Sequence, residues 1–188
     1  MAALHAAGDP HDGLLVADWA DPHAVAVPPA RGRAGHVLVT SGLLRLLDPA
    51  ERGAVLAHER AHLAHGHHRT AAAGTVAAAA HPLLRGVAAT IDLLVERSAD
   101  ETAAAAVGSR PLVARTIARV ALAAHAAPGP AFGGSDVRHR VEALTAPAGR
   151  RGAPTLAATV TLALLSMAAT TGAAAAFVRV AQVWIAGR

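Results

Sequence analysis

The chain contains no cysteine and no tyrosine, and its aromatic residues are limited to two Phe and two Trp. The missing thiols exclude disulfides, thiolate metal sites and cysteine nucleophiles together. With so few rings, a chain that is 53% apolar has to build its core from Ala, Leu and Val, small side chains that let helices pack closely. Lysine is absent too, so all 17 cations are Arg; against 13 acidic residues they leave a formal charge of +4. No aromatic platform or base-reading motif accompanies that charge, and nucleic acid is not an expected partner. Residues 1–13, MAALHAAGDPHDG, have no basic segment leading into a sustained apolar run, so they read as a loose lead-in and not as a signal peptide. A length of 188 residues leaves room for one domain and an appendage.

What the chain has in quantity is histidine, and the stretch 56–68, LAHERAHLAHGHH, organises the reading. Within it His58, Glu59 and His62 form H-E-x-x-H. On a helix the four-residue step puts both imidazoles on one face, a turn apart, as a pair of metal ligands. Glu59, next to the first of them, can reach a water on the same ion and act as general base. Downstream, Glu96 offers a third ligand, and Asp100, one turn later, is placed to orient His58 through its other ring nitrogen. Two imidazoles and one carboxylate leave one position of a tetrahedral zinc open, which is the arrangement of a catalytic site.

The remaining elements follow from local signals and give a mainly α fold with a small antiparallel β-sheet. Short Val-enriched runs at 14–18, 24–28 and 36–40, separated by Pro and Gly, predict the sheet within 14–40. Asp48-Pro49-Ala50-Glu51 is a helix start, with an Asp cap, Pro at the first helical position and Glu three residues after the cap; it predicts a zinc helix over 49–66. His65, His67 and His68 read as a solvated basic helix end, in preference to a second metal site. His81-Pro82 interrupts an Ala-rich run and predicts a helical hairpin over 70–107 that returns Glu96 to the histidines. A scaffold helix over 110–126, the loop APGPAFGGS and a basic helix over 136–145 complete a domain spanning 1–150.

The segments VLVTSGLLRLLDPAERGAVLAHERAHLAHGHH, HPLLR, ERSADE and RHRVEAL, followed by an apolar tail, resemble integral-membrane zinc metallopeptidases of the gluzincin group. The likeness is nearest to actinobacterial relatives of the beta-lactam-sensor (BlaR/MecR-type) peptidases, with HtpX-like and CAAX-prenyl-protease-like peptidases as neighbours. It implies one zinc ion per chain on His58, His62 and Glu96, Glu59 as general base and Asp100 behind His58. It also implies that Ala24, Val25, Ala26 and Val27 form the edge strand that pairs with substrate backbone. The oxyanion donor falls to Arg138, His139 or Arg140 in a chain without Tyr, and the family's pattern matches Arg140 best. Such peptidases usually carry several membrane helices ahead of the catalytic part; no such run is found there, so a short form or an incomplete product is expected.

No charged residue occurs from 153 to 178. At about 1.5 Å per residue this run can cross a bilayer core of about 30 Å, which predicts a transmembrane helix within 153–185. Arg138, Arg140, Arg150 and Arg151 precede it while Arg179 and Arg188 follow, and that bias puts the catalytic part in the cytoplasm. The expected function is a zinc-dependent, membrane-bound endopeptidase, attached to the cell membrane by one span or with a re-entrant segment. Its partners are then a peptide or protein substrate and the lipid bilayer. The alternatives are a non-catalytic zinc-binding regulatory membrane protein, with His65 the first suspect for a fourth ligand, and a soluble Ala-rich interaction protein.

Overall fold

The strand His36–Thr40 (β3) sits at the centre of a three-stranded sheet, because Val37, Leu38 and Val39 are apolar on both faces and only 1–3% exposed. A strand buried on both faces needs a neighbour on each side. Leu14–Ala17 (β1) takes one edge and Ala24–Val27 (β2) the other, giving the order β1-β3-β2. Consecutive strands on opposite edges run in opposite directions, so β1 pairs parallel with β3, Leu14 opposite Val37, and β2 pairs antiparallel, Ala24 opposite Val39. The expected antiparallel sheet is therefore a mixed one. The computed structural model describes residues 12–30, 32–81, 84–126 and 134–146.

Thr40 ends the sheet and starts Ser41–Leu46 (α1), its hydroxyl accepting from Leu43 N–H at 3.2 Å and donating to the Asp21 carbonyl at 2.7 Å. Gly42 has to be glycine, since a Cβ there would lie 1.9 Å from the Ala20 carbonyl oxygen. Pro49–Ala64 (α2) begins with both halves of a capping box: Glu51 N–H bonds the Asp48 carboxylate at 2.9 Å and Asp48 N–H bonds the Glu51 carboxylate at 3.1 Å. The helix expected over 49–66 stops at Ala64, because Gly66 adopts a left-handed conformation (φ 61°) that ends the turn. His67–Ala80 (α3) starts immediately after it, three residues ahead of the expected hairpin, and packs against Arg85–Val107 (α4).

Gly108, also left-handed, ends α4, and the Ser109 hydroxyl caps Arg110–Ala126 (α5) by accepting from Leu112 N–H at 3.2 Å. Gly134–Thr145 (α6) follows. Arg110 fastens it to α5, donating to the Ala143 and Leu144 carbonyls at 2.7 and 3.1 Å. The core is small-residue packing: Ala54, Ala103, Ala104, Val113, Ala114 and Leu144 form one cluster, and Val37, Val39, Leu43 and Leu47 a second beneath the sheet. Where α2 crosses α4, Ala61, Ala99 and Ala103 are at most 2% exposed. Alanine at the crossing brings the two axes close, and so brings together what each helix carries one position away.

The described residues all belong to one compact unit, Met1–Pro147. The stretch 153–185, expected to form a transmembrane helix, lies outside the described residues. Among the described residues, no helix is long and apolar enough to cross a membrane.

Candidate metal centre and cleft

On α2, residues 54, 58, 61 and 62 share one face; on α4, residues 96, 99, 100 and 103 share another. Ala54 and Ala103 meet in one buried cluster and Ala61 and Ala99 are buried as well, while the remaining members, His58 and His62 against Glu96 and Asp100, come together beside them. The Nε2 atoms of His58 and His62 are 3.1 Å apart. Glu96 reaches both, with Oε2 3.5 Å from His58 Nε2 and Oε1 3.5 Å from His62 Nε2. Among the described residues this is the group whose donor atoms can hold a metal, all within 4.8 Å of one another.

The spacing tests whether an ion belongs there. Bonds of about 2.0–2.1 Å in a tetrahedron place neighbouring ligand atoms about 3.3 Å apart, close to the 3.1 Å between the two ring nitrogens and to the 3.5 Å from each nitrogen to its own oxygen of Glu96. Two nitrogen lone pairs and a carboxylate facing one point are mutually repulsive unless a proton or cation lies between them. The donor set therefore fits a zinc-sized ion with three protein ligands.

Behind the ligands lies a charge network. Asp100, 1% exposed, approaches His58 Nδ1 at 2.9 Å, a hydrogen-bond distance although the ring N–H is not in line with it. Arg140 from α6 grips the same carboxylate with Nε at 2.8 Å and Nη2 at 2.7 Å, and places Nη1 2.8 Å from Glu96. One guanidinium thus ties both α4 carboxylates, a bidentate clamp that fixes their orientation. Arg138 pairs instead with Glu142 at 3.1 Å on the exposed side of α6, and His139 is also exposed. Of the three candidate oxyanion donors, Arg140 alone lines the cleft.

The electrostatics separate the two histidines. Burial disfavours charge on His58, but its contacts with Asp100 and Glu96 outweigh this and raise it to about 9. His62 is lowered to about 4 by burial and by the neighbouring His58. Burial also tends to raise Glu96 and Asp100, yet His58 and Arg140 hold both below the ordinary carboxylate range. Glu59 goes the other way: burial raises it, moderated by His58 and by a hydrogen bond from the Ala26 backbone N–H.

That last contact connects the site to the sheet. Thr40 N–H bonds the His23 carbonyl at 3.0 Å, so by alternation the backbone groups of Ala24 and Ala26 turn to the free edge of β2. The edge borders a cleft of about 630 Å³ that His58, Glu59, His62 and Arg140 also line. An adjoining recess of about 290 Å³ runs past Glu59 between Val55, Val113, Ile117 and Val120.

Of the histidines after the motif, His65 is exposed at the end of α2 as expected, and His67 departs from the expectation. His67 is 8% exposed at the start of α3, with Nδ1 3.2 Å from His62 Nδ1. His65 is exposed and stacks on His67, ring centroids 5.4 Å apart, outside the metal group. Gly66 is the available signal, since a glycine between His65 and the pair His67-His68 marks a reversal as readily as a weakened helix.

A family model described as Peptidase family M48 matches residues 3–121, well over half of the chain. The matched span covers the sheet, α2, α3, α4 and most of α5, and it ends before α6 and Arg140. No curated protein and no solved structure matches the chain.

Proposed function

The chain belongs to peptidase family M48, and from that premise we propose that it is a zinc-dependent endopeptidase with His58, His62 and Glu96 as metal ligands and Glu59 as general base. The observation that carries this reading is the convergence of two ring nitrogens 3.1 Å apart and a Glu96 carboxylate whose two oxygens each lie 3.5 Å from one of them, with a raised carboxylate beside them. When bound, zinc supplies Lewis-acid polarisation of the scissile carbonyl and lowers the pKa of the attacking water. Glu59 takes the proton of that water as its oxygen bonds to the carbonyl carbon. The carboxyl then hands the proton to the departing amine nitrogen as the C–N bond breaks. A carboxylate raised by burial suits both halves of this transfer, because its affinity for the proton lies nearer neutrality.

The free edge of β2 offers Ala24–Val27 to an extended peptide by strand addition, and the recess beside Glu59 offers its apolar walls to one side chain of that peptide. Arg140 stands nearest the reacting centre of the three oxyanion candidates, and its clamp on Asp100 and Glu96 assigns it a bracing role as well. Asp100 orients His58. Within the family, the motif set around residues 37–68 and 96–101 supports a relation to the beta-lactam-sensor type, with HtpX-like peptidases as neighbours. The uncharged run 153–178 supports attachment to a membrane, and the Arg bias around it supports a cytoplasmic catalytic part.

The test is Glu59→Gln, assayed on a denatured protein substrate alongside metal content. The variant should keep stoichiometric zinc and lose hydrolysis by about 10²–10⁴-fold. Undiminished cleavage by Glu59→Gln rejects the assignment, and zinc without cleavage in the wild type leaves the non-catalytic regulatory reading in its place.

A further inference from the structure

His67 is the most deeply buried histidine among the described residues, and nothing in the proposed chemistry uses it. Its position is a product of the turn. On a continuous helix the residue five places after His62 would lie about 140° around the axis, facing away from it. Instead Gly66 takes φ 61°, the chain reverses into α3, and His67 comes back over the ring of His62 with the two planes at 82° and the two Nδ1 atoms 3.2 Å apart. His65 stacks on the other side of His67 and confines its ring.

We propose that His67 is a positioning residue for the metal ligand His62, accepting a hydrogen bond from His62 Nδ1–H and so holding His62 Nε2 unprotonated and aimed at the ion. The inference rests on the metal site proposed above. The proton assignment follows from the ring: Nε2 of His62 faces His58 Nε2 and Glu96, so when it ligates, the ring's proton must be on Nδ1. The atom across from that proton is Nδ1 of His67, which is then the acceptor, with its own proton on Nε2. Each ligand imidazole has a separate support, a carboxylate for His58 and a neutral imidazole for His62. A hydrophobic side chain at 67 would fill the space and leave His62 Nδ1–H without an acceptor.

The experiment is zinc affinity of the full chain, measured by competition with a chromophoric chelator, for wild type, His67→Leu, His67→Asn and His67→Gln, with helical content checked for each. The side-chain oxygen of Asn falls near the place of a histidine Nδ1, whereas that of Gln reaches one bond further, near Nε2. His67→Asn should bind zinc within about threefold of wild type, and His67→Leu and His67→Gln should bind about ten- to a hundredfold more weakly. Wild-type affinity in His67→Leu, or equal affinities in the Asn and Gln variants, overturns the role. Should His67→Leu fail to fold, the Asn and Gln pair decides alone. A wild-type protein that takes up no zinc overturns this inference together with the metal site, whereas tight wild-type binding with indifferent position 67 variants overturns this inference only.

Discussion

Glu51 and Asp100 are both 1% exposed, and both are gripped by arginines from helices far along the chain, yet they serve different ends. Glu51 closes the capping box of α2 and takes Arg119 Nη1 at 2.8 Å and Arg115 Nε at 3.5 Å, which fastens the start of α2 to α5. Its lone pairs are spent on a helix terminus and on two arginines that are about half exposed or more. Asp100 is clamped as firmly by Arg140, but its Oδ1 also faces His58, whose far nitrogen points into the cleft. A buried carboxylate with an arginine is therefore an element of the fold in itself. It becomes part of a site when one of its partners carries a second polar atom to a place where other donors converge.

The largest separation between the two regions is expected from removing a carboxylate at each. Glu96→Ala takes away a proposed ligand from a partly exposed position, so zinc affinity should fall by more than about a hundredfold, beyond the loss typical of an outer partner, while the metal-free thermal midpoint falls less than in Glu51→Ala. Glu51→Ala should do the reverse. It strips the cap and a buried acceptor for about 1–3 kcal/mol of stability and leaves zinc affinity of the folded protein unchanged. A calorimetric melt and a chelator competition on both variants check this, and a loss of zinc affinity in folded Glu51→Ala would dissolve the distinction.

Asp100→Asn probes the same contrast at smaller amplitude. The amide keeps the shape and an acceptor for His58, but it removes the charge that opposes Arg140. Arg140 then retains Glu96 as its remaining carboxylate within reach and competes with the metal for it. Zinc affinity should drop by about ten- to a hundredfold, read by the same competition. Asp100→Asn with wild-type affinity would mean that His58 needs no outer carboxylate.

How much of this could be read beforehand depends on whether a feature is local. The helix start at Asp48-Pro49-Ala50-Glu51 is contained in four residues and is formed by their own backbone, so the chain announces it. The i, i+4 placement of His58 and His62, and of Glu96 and Asp100, is equally internal to one helix. That α2 and α4 meet with these faces together depends on small-residue packing such as that of Ala54 with Ala103, which a composition rich in alanine allows at many registers. The parallel pairing of β1 with β3 was illegible because it depends on which strand takes the centre, a contest decided by total burial. Arg140 is legible as a possible oxyanion donor, but its clamp on two carboxylates spans α6 to α4 and leaves no mark in spacing. The burial of His67 is illegible for a subtler reason: Gly66 fits both a fraying helix end and a reversal, and the difference lies in one φ angle.

The smallest expected effect is a tilt in the stability of the metal-free protein with pH, and it too divides the two regions. His58 is raised from 6.5 to about 9, so its contribution is fully present below about pH 6.5 and is lost as pH rises through 9. His62 is lowered from 6.5 to about 4; the unfolded chain takes up its proton first, and stability falls as pH drops from 6.5 towards 4. Thermal midpoints in the presence of chelator should therefore be highest near pH 6.5 and decline on both sides. Asp100→Asn removes one of the partners that raise His58, so it should lower the curve near pH 6.5 and flatten its alkaline limb. Glu51→Ala should lower the whole curve without changing that limb, because none of its contacts reaches His58. An alkaline limb that survives Asp100→Asn unchanged would show that Glu96 alone sustains the proton on His58, and the weight of the network would move from the buried carboxylate to the ligand.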